Sequence, residues 1–430
     1  MHIVFFGDQH LESLGGAQVS MRLQRRYLER AGHTVTVVAP AMPLRQAQGP
    51  KGQGPKGQRP KGQGPKGQGP KGQGPKGQGP KAADAGYLDL PSVPITVDRE
   101  YSMSWPGRRT DRFLDRAFAH RPPVDLVHVQ ADFWGAFIGH RFAHRHGIPV
   151  VHTMHNRVDV GMAAVTPLHK PVLAVLNLWR RAAMRGIGSP VGGSDGWAFL
   201  RGIAQGSSAV TAPSGHFARR LEQHGVFDPV DVVWNGIDDE LLAQTLAARD
   251  SNVAPGTRRP RFVWLGRMSP EKRLLPFLQA VVESRVDAEI EVIGGGGQLR
   301  AAEKIARGHD GIRFAGRLPY AETLARIAAA DAVVQTSIGF ETQGMTPFEA
   351  ATLGTPTVVS DPDIAGELRG GLWEVPDASV TALTETLQRA ASDIVAGRAP
   401  TPDPDVAAAF RQSSRTAAMI EVYERVLAQR

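Results

Sequence analysis

The sequence contains no cysteine among its 430 residues. This absence excludes disulfide bonds, thiolate metal ligands and cysteine nucleophiles, and it fits a reducing cytoplasm. No apolar run approaches the roughly 20 residues that are needed to span a bilayer. The first residues, MHIVFFG, lack a basic segment and predict a buried strand rather than a signal peptide. We therefore expect a cytoplasmic protein that contacts a membrane at most peripherally, on the inner face of the plasma membrane.

The net charge of +8 is concentrated in one unusual segment. Residues 51–80 are six copies of Lys-Gly-Gln-Gly-Pro, with Arg59 in place of one glycine, and Lys81 follows. The segment has seven lysines, one arginine and no acidic residue, so it accounts for the whole net charge. It has no apolar side chain to bury, and its period of five excludes a collagen helix. We interpret residues 50–81 as a disordered, inert insert in the first domain, the alternative being a segment that binds an anionic polymer. We expect no nucleic-acid partner.

The rest of the chain alternates between short apolar runs and helical segments, in two series. This pattern is typical of an α/β protein with doubly wound parallel sheets. Strands are predicted at 2–6, 33–38, 93–97, 125–129, 149–153, 208–211 and 230–233, and then at 261–265, 288–293, 312–315, 332–335 and 357–360. Two Rossmann-like domains that face a central cleft are therefore expected, and the cleft is the usual ligand site in such folds.

The domain boundaries follow from where this alternation stops. The first domain spans residues 1–249. Residues 250–260, DSNVAPGTRRP, have no hydrophobic periodicity, so they are predicted to form a linker. The second domain spans 261–402. The final segment, 403–430, is predicted to contain one long helix at 406–427 that packs back toward the first domain.

Several motifs lie where strands end and helices begin. Gly15-Gly16 would let backbone N–H groups approach a phosphate, although an ordinary tight turn explains the pair equally well. Arg267 and Lys272, in GRMSPEKR, suit a diphosphate, the alternative being solvated surface charges. His152 and His155 end a predicted strand, where either could be catalytic or structural. Ser214 lacks the nucleophile elbow and is predicted to cap a helix.

Two glutamates stand out in FETQGMTPFEAATLGTP, residues 340–356. Glu341 precedes a Gly-Met-Thr-Pro turn, and Glu349 lies in the helix that follows it. A carboxylate is an acceptor that suits vicinal hydroxyls, and backbone N–H groups at a helix start suit a diphosphate. The histidines and the Asp-Pro-Asp triplets lack the spacing of metal ligands, so we expect no metal site.

Together these elements resemble the family-4 retaining glycosyltransferases of the GT-B fold, in order over almost the whole chain. The resemblance implies a metal-independent hexosyltransferase without a cofactor, whose donor is a nucleotide-diphosphate sugar, with UDP favoured over GDP. His155, Glu341, Arg267 and Lys272 are then expected to be catalytic. The donor site is expected to comprise Gly15, Gly16, Arg267, Lys272, Gly316, Arg317, Glu341, Gly344, Met345, Thr346 and Glu349, with Glu349 on the ribose hydroxyls.

The motifs ETQG and VHTMHN are similar to those of the branch that glycosylates membrane lipids such as diacylglycerol. The charge distribution agrees, because residues 99–201 contain 14 arginines and lysines against 7 acidic residues. Lys170, Arg181 and Arg185 could share a helix face beside Val172–Leu176 and Trp179, as in a helix at an anionic membrane surface. A core-packed helix with solvated arginines is an equally good interpretation.

Two other functions stay open at this point. A GT-B epimerase would alter the nucleotide sugar without any acceptor. A non-catalytic protein would bind a nucleotide sugar or an anionic lipid without turnover. The oligomeric state, the sugar and the acceptor are not indicated by the sequence.

Overall fold

The computed structural model describes residues 1–11, 16–41, 86–96, 101–250 and 259–429. The predicted disordered insert at 50–81, Gly15, and residues 251–258 of the predicted linker lie outside these ranges. Across the described ranges, no helix combines the length and the apolar character needed to cross a bilayer.

The described part of the first half of the chain forms a parallel sheet of seven strands and a separate antiparallel pair of short strands, which comes between the third and the fourth of those seven strands in chain order. The strands are β1 (His2–Gly7), β2 (Thr34–Pro40), β3 (Tyr87–Leu90), β4 (Val93–Pro94), β5 (Ser102–Met103), β6 (Leu126–Gln130), β7 (Val150–Thr153), β8 (Ala209–Ala212) and β9 (Val230–Val232). Across the sheet the order is β3-β2-β1-β6-β7-β8-β9, and β4 pairs with β5. All six residues of β1 are buried, which explains its continuous apolar run. The strand order reverses between β1 and β6, and this leaves a crevice at their carboxyl ends.

Eight helices of the described part surround this sheet or follow it. They are α1 (Gly16–Arg30), α2 (Arg108–Phe118), α3 (Trp134–His146), α4 (Val158–Val165), α5 (His169–Ala183), α6 (Gly196–Ala204), α7 (Gly215–Gln223) and α8 (Asp239–Asp250). The predicted helix cap is present, since Ser214 Oγ accepts a hydrogen bond from the Phe217 N–H at the start of α7.

The second half repeats the design with a six-stranded parallel sheet. Its strands are β10 (Arg261–Arg267), β11 (Glu289–Gly295), β12 (Ile312–Gly316), β13 (Ala332–Gln335), β14 (Thr357–Val359) and β15 (Leu372–Glu374), in the order β12-β11-β10-β13-β14-β15. Its helices are α9 (Leu274–Ser284), α10 (Leu299–Ile305), α11 (Tyr320–Ala329), α12 (Met345–Thr352), α13 (Pro362–Leu368) and α14 (Val380–Val395), and Pro270–Lys272 forms a single 3-10 turn. The order reverses between β10 and β13. The predicted α/β class with two Rossmann-like sheets is confirmed.

The predicted strand at 93–97 is wrong. Residues 93–94 form only the short hairpin with β5, and the side chains of Val93 and Ile95 are 57% and 47% exposed. The strand beside β2 is instead β3, which ends three residues before Val93. Pro94 has no N–H to donate, so this segment could not join the interior of a sheet.

The prediction of one long helix at 406–427 is also wrong. The segment forms α15 (Pro404–Ala409) and α16 (Gln412–Ala428), separated by Phe410 and Arg411. Phe410 is fully buried against Phe348 of α12, whereas Arg411 is extended and forms a β-bridge with Ile237. The helix breaks because the chain passes here from one domain to the other.

Helix α16 packs against the first sheet. Met419, Val422, Tyr423 and Val426 belong to the same buried cluster as residues of β1 and β2. The Tyr423 hydroxyl lies 2.6 Å from Nδ1 of the buried His128.

Candidate active site

A cavity of about 210 Å³ lies at the point where the strand order of the second sheet reverses. It is bounded by the carboxyl ends of β10 and β13 and by the start of α12. The lining includes Lys272, Ser337, Glu341, Gly344, Met345 and Thr346. We refer to it as the first cavity. Ligands of doubly wound folds bind at such reversal points, so this position is consistent with a nucleotide-sugar site.

A second cavity, of about 320 Å³, lies between the two domains. Its lining from the first domain includes Phe133, His155, Asn156, Arg157 and Met162, and its lining from the second includes Arg267, Phe340, Glu341 and Thr342. Glu341 lines both cavities, so its carboxylate marks the place where the two meet.

The Glu341 side chain is held by two polar partners. Its Oε1 forms an ion pair with Lys272 Nζ and accepts a hydrogen bond from Ser337 Oγ at 2.7 Å. The Lys272 carbonyl is fixed in turn by Thr336 Oγ1, which donates to it at 2.6 Å. A bound phosphate would therefore compete with Glu341 for the Lys272 ammonium group.

The start of α12 supplies a second anion-binding element beside Lys272. Gly344 precedes the helix with φ 73°, in the left-handed region that favours glycine, and a Cβ there would lie 2.7 Å from Ile364 Cδ1. Met345 and Thr346 follow it and line the first cavity. The N–H groups of a first helical turn have no partner within their own helix, and they attract anions.

Arg267 is placed apart from Lys272. It lies at the end of β10, 66% of its side chain is exposed, and it pairs with Glu271 at 3.1 Å. It lines the second cavity, whereas Lys272 lines the first. The two cations therefore flank Glu341 from different sides instead of forming one contiguous pair.

His155 follows β7 and faces the second cavity. Its Nε2 is buried and has no hydrogen-bond partner among the residues that the structure describes. Burial lowers the pKa of His155 to about 4, so the ring is neutral at pH 7. A neutral imidazole nitrogen without a partner, in a cavity that also contains Glu341, is well placed to bind a polar ligand.

His152, the other candidate, is instead structural: its Nδ1 lies 3.1 Å from Nε2 of His140, and its Nε2 lies 2.8 Å from the Ala131 carbonyl.

Sequence reasoning missed two aspartates near His155, the fully buried Asp132 and the half-buried Asp8. Asp132 accepts the backbone N–H of His155 at 3.1 Å and the Asn156 amide at 2.6 Å. Asp8 accepts the N–H groups of Asp132 and Gly135, both at 2.8 Å, at the start of α3. Burial raises the pKa of Asp8 to about 6, and burial together with the charge of Asp8 raises the pKa of Asp132 to about 7. Each aspartate lies within two residues of the end of a central strand, a signal that the sequence did contain.

Three of the other predicted donor residues, Glu349, Gly316 and Arg317, do not line either cavity. Glu349 is buried in α12, where its Oε1 accepts a hydrogen bond from the Tyr320 hydroxyl at 2.6 Å, and burial raises its pKa. Gly316 is the last residue of β12 and Arg317 follows it, and both are exposed. Gly16 begins α1, and Gly15 is not among the described residues. Their assigned roles stay predictions.

In the ranges that the structure describes, no three His, Asp or Glu side chains converge in a way that could hold a metal ion. Metal independence itself stays a prediction.

Each half of the chain matches a known protein family. Residues 14–241 match the family described as Glycosyltransferase Family 4, and residues 259–393 match the family described as Glycosyl transferases group 1. Together the two matches include every candidate residue discussed above except Asp8.

Individual proteins with similar sequences or structures agree with these matches. The chain is 22% identical to alpha-monoglucosyldiacylglycerol synthase of Streptococcus pneumoniae, over 90% of this chain and 82% of that protein. The fold is similar to sucrose-phosphate synthase of Thermosynechococcus elongatus, with a TM-score of 0.67, 15% identity and complete coverage of both chains. It is also similar to HepE of Anabaena in complex with UDP and glucose, with a TM-score of 0.62 and 15% identity, over 99% of this chain and 100% of that chain. The GT-B fold is thereby confirmed.

Proposed function

The chain belongs to glycosyltransferase family 4, and from this membership we propose that it transfers a hexose from a UDP-sugar to a hydroxyl group of a membrane lipid, with retention of the anomeric configuration. The observation that carries the proposal is the position of Glu341. It lies where a cavity suited to the donor meets a cavity that both domains line.

The donor fits the first cavity by its charge. The diphosphate would contact the start of α12 and displace Glu341 from Lys272, and Arg267 would approach from the second cavity. These positive groups stabilise the charge that develops on the phosphate as the glycosidic bond breaks. The complex of HepE with UDP and glucose supports a UDP-sugar as donor.

Retention is supported by the arrangement of carboxylates. Among the described residues that line the two cavities, Glu341 is the only carboxylate, and its Oε1 accepts a hydrogen bond from Ser337 Oγ. We therefore favour a substitution on the front face of the sugar over a covalent intermediate. The bond from the anomeric carbon to the phosphate oxygen breaks, and the acceptor oxygen bonds to the same face. The acceptor proton passes to the departing phosphate oxygen.

A lipid acceptor is supported by an exposed apolar surface on α5. Leu168, Val175 and Leu178 are 65%, 66% and 66% exposed, and they follow one another along the same side of the helix. Trp105 is 64% exposed and packs on Trp179, with ring centroids 5.3 Å apart. We call Trp105, Leu168, Val175 and Leu178 the α5 surface. Exposed apolar side chains that are grouped in one patch mark sites of interaction with proteins or membranes.

The charges beside the α5 surface indicate an anionic membrane as its partner. Lys170 and Arg181 are exposed and lie about three helical turns apart, on the same edge of α5. Arg185 follows the helix, and residues 169–183 contain no acidic residue. The sequence analysis predicts Val172–Leu176 as the apolar part of this surface. The structure differs in part, because Leu173 is buried and Leu176 packs partly against the core. The similarity to a glucosyldiacylglycerol synthase supports the same acceptor class.

The test begins with the donor and then adds the acceptor. UDP-glucose, UDP-galactose and GDP-mannose would be compared for the rise in melting temperature that each produces, because ligand binding stabilises the folded state. The best donor would then be incubated with diacylglycerol in vesicles, with a soluble acceptor, and with no acceptor, and Lys272→Ala would serve as the inactive control. We expect a glycolipid with the donor's anomeric configuration. A changed sugar nucleotide without acceptor would indicate an epimerase, and binding without turnover would indicate a non-catalytic protein.

A further inference from the structure

The loop that carries Glu341 is held from the opposite domain at three successive residues. His216 Nε2 lies 3.2 Å from the Glu341 carbonyl, and Ser214 Oγ donates to the Thr342 carbonyl. The Gln343 side chain accepts the backbone N–H of Asn235 at 3.0 Å and donates to the Asn235 carbonyl at 3.2 Å. The placement of residues 341–343 in the second domain thus depends on contacts with the first.

His216 is the central member of this group. It lies at the start of α7, it is 4% exposed, and its Nδ1 lies 2.8 Å from Glu367 Oε1 on α13. The same Glu367 oxygen accepts the His216 backbone N–H at 2.7 Å. The ring therefore bridges a carboxylate on α13 and the carbonyl of Glu341.

The geometry requires a proton on both ring nitrogens. Nδ1 faces the Glu367 carboxylate. Nε2 faces the Glu341 carbonyl and also Ser214 Oγ, which has donated its own hydrogen to Thr342. An ionised carboxylate and a carbonyl are acceptors only, and only the imidazolium form of histidine donates from both nitrogens. Burial alone would lower the pKa of His216, but its hydrogen bond to Glu367 and the charge of that carboxylate outweigh burial and raise the pKa.

We propose that His216 is a positioning residue, which as an imidazolium on the first domain fixes the Glu341 loop of the second domain. The inference rests on the proposed function only in the role that it gives to Glu341. Its consequence is that the placement of Glu341 depends on the contact between the two domains, because the ring of this first-domain residue holds two groups of the second domain.

The charges around His216 give the proposal a pH dependence. Glu367 and Asp363 on α13 are negative, and Arg220 on α7 pairs with Asp363 at 2.7 Å without contacting the 341–343 loop. A histidine whose pKa is raised in the folded state contributes below its unfolded pKa, and the contribution is lost as the pH rises through the folded value. Activity should therefore decline on the alkaline side as the contact from His216 to the Glu341 loop weakens.

The decisive experiment compares His216→Ala with Arg220→Ala, which removes another polar contact between the same two helices. We expect His216→Ala to lower kcat by about 10- to 100-fold with little change in donor KM, since a displacement of about 1 Å in a catalytic group can cost about 100-fold. Arg220→Ala should keep the wild-type kcat. His216→Gln, which can still donate one hydrogen bond, should recover part of the loss.

Two further readouts separate positioning from general stability. Glu367→Gln removes the charge that raises the pKa of His216, so the alkaline decline of kcat should begin at lower pH, and it should be absent in His216→Ala. Amide hydrogen exchange of residues 340–344 should become faster in His216→Ala but not in Arg220→Ala. This second readout does not need turnover, so it tests the inference even if the proposed function fails. Wild-type kcat in His216→Ala, or unchanged exchange in the loop, would overturn it.

Discussion

The α5 surface leads to a quantitative prediction about membrane binding. Val175 and Leu178 are each 66% exposed, so about two-thirds of each side chain is still available for burial in lipid. Complete burial of such a side chain stabilises by about 1.5–3 kcal/mol, which leaves about 1–2 kcal/mol for each residue here. The double variant Val175→Ser/Leu178→Ser should therefore bind vesicles about 30- to 700-fold more weakly, at about 1.4 kcal/mol for each factor of ten.

The matched control is Val395→Ser. Val395 is 74% exposed on α14 of the second domain, so the same class of change is made far from the proposed surface in the chain. Its vesicle binding should equal that of the wild type. Because all three positions are exposed, the melting temperatures of both variants should stay close to that of the wild type.

The assay is co-sedimentation with phosphatidylcholine vesicles, with and without phosphatidylglycerol, over a range of salt concentrations. Arg181→Glu/Arg185→Glu should weaken binding only to the anionic vesicles, by about 1 kcal/mol or more for each residue at low salt, and salt should mask the difference. The loss in the serine double variant should persist at high salt. Equal binding by that variant and the wild type would refute the docking surface. Failure of the wild type to bind anionic vesicles at low salt would remove the main physical support for a lipid acceptor.

Three further predictions concern the donor site and the insert. Arg267→Ala and Lys272→Ala should each reduce kcat by roughly 100-fold or more, because each removes an oriented charge from the departing diphosphate; near-normal turnover in either would contradict that role. Glu341→Gln should lower kcat with little change in donor affinity, whereas Glu349→Gln should weaken calorimetric binding of free UDP by about 1–3 kcal/mol; the reverse pattern would exchange their roles. Replacing residues 50–81 with a short Gly-Ser link should leave the melting temperature and donor turnover unchanged, unless the repeat has a role beyond an inert insert.

The fold was predictable where local sequence was enough to determine structure. The buried parallel strands are nearly continuous apolar runs, and β1, β10 and β13 were found within two residues of their observed ends. The errors came from contacts with distant residues. The break at Phe410 depends on its packing against Phe348, and nothing in the neighbouring sequence indicates that partner.

Part of the cavity lining was predictable from the sequence, but its arrangement was not. The sequence grouped Arg267 with Lys272, yet the fold directs them to different cavities on either side of Glu341. The partner of Glu349 is Tyr320, 29 positions earlier, and the partners of the Glu341 loop belong to the other domain. Pairings of this kind are set by how the two sheets meet, and they leave no periodic pattern in the chain.

The return of α16 to the first sheet has a consequence for the order of folding during synthesis. One core cluster of the second domain is built only from residues between 262 and 394, whereas the cluster around β1 also needs Met419, Val422, Tyr423 and Val426. The hydrogen bond between His128 and Tyr423 spans 295 residues, and contacts so distant in sequence form late. The ribosome therefore delivers the first sheet first, but the apolar face beneath α16 stays uncovered until residue 426 has emerged. During that interval the nascent chain presents an apolar face for chaperones to shield.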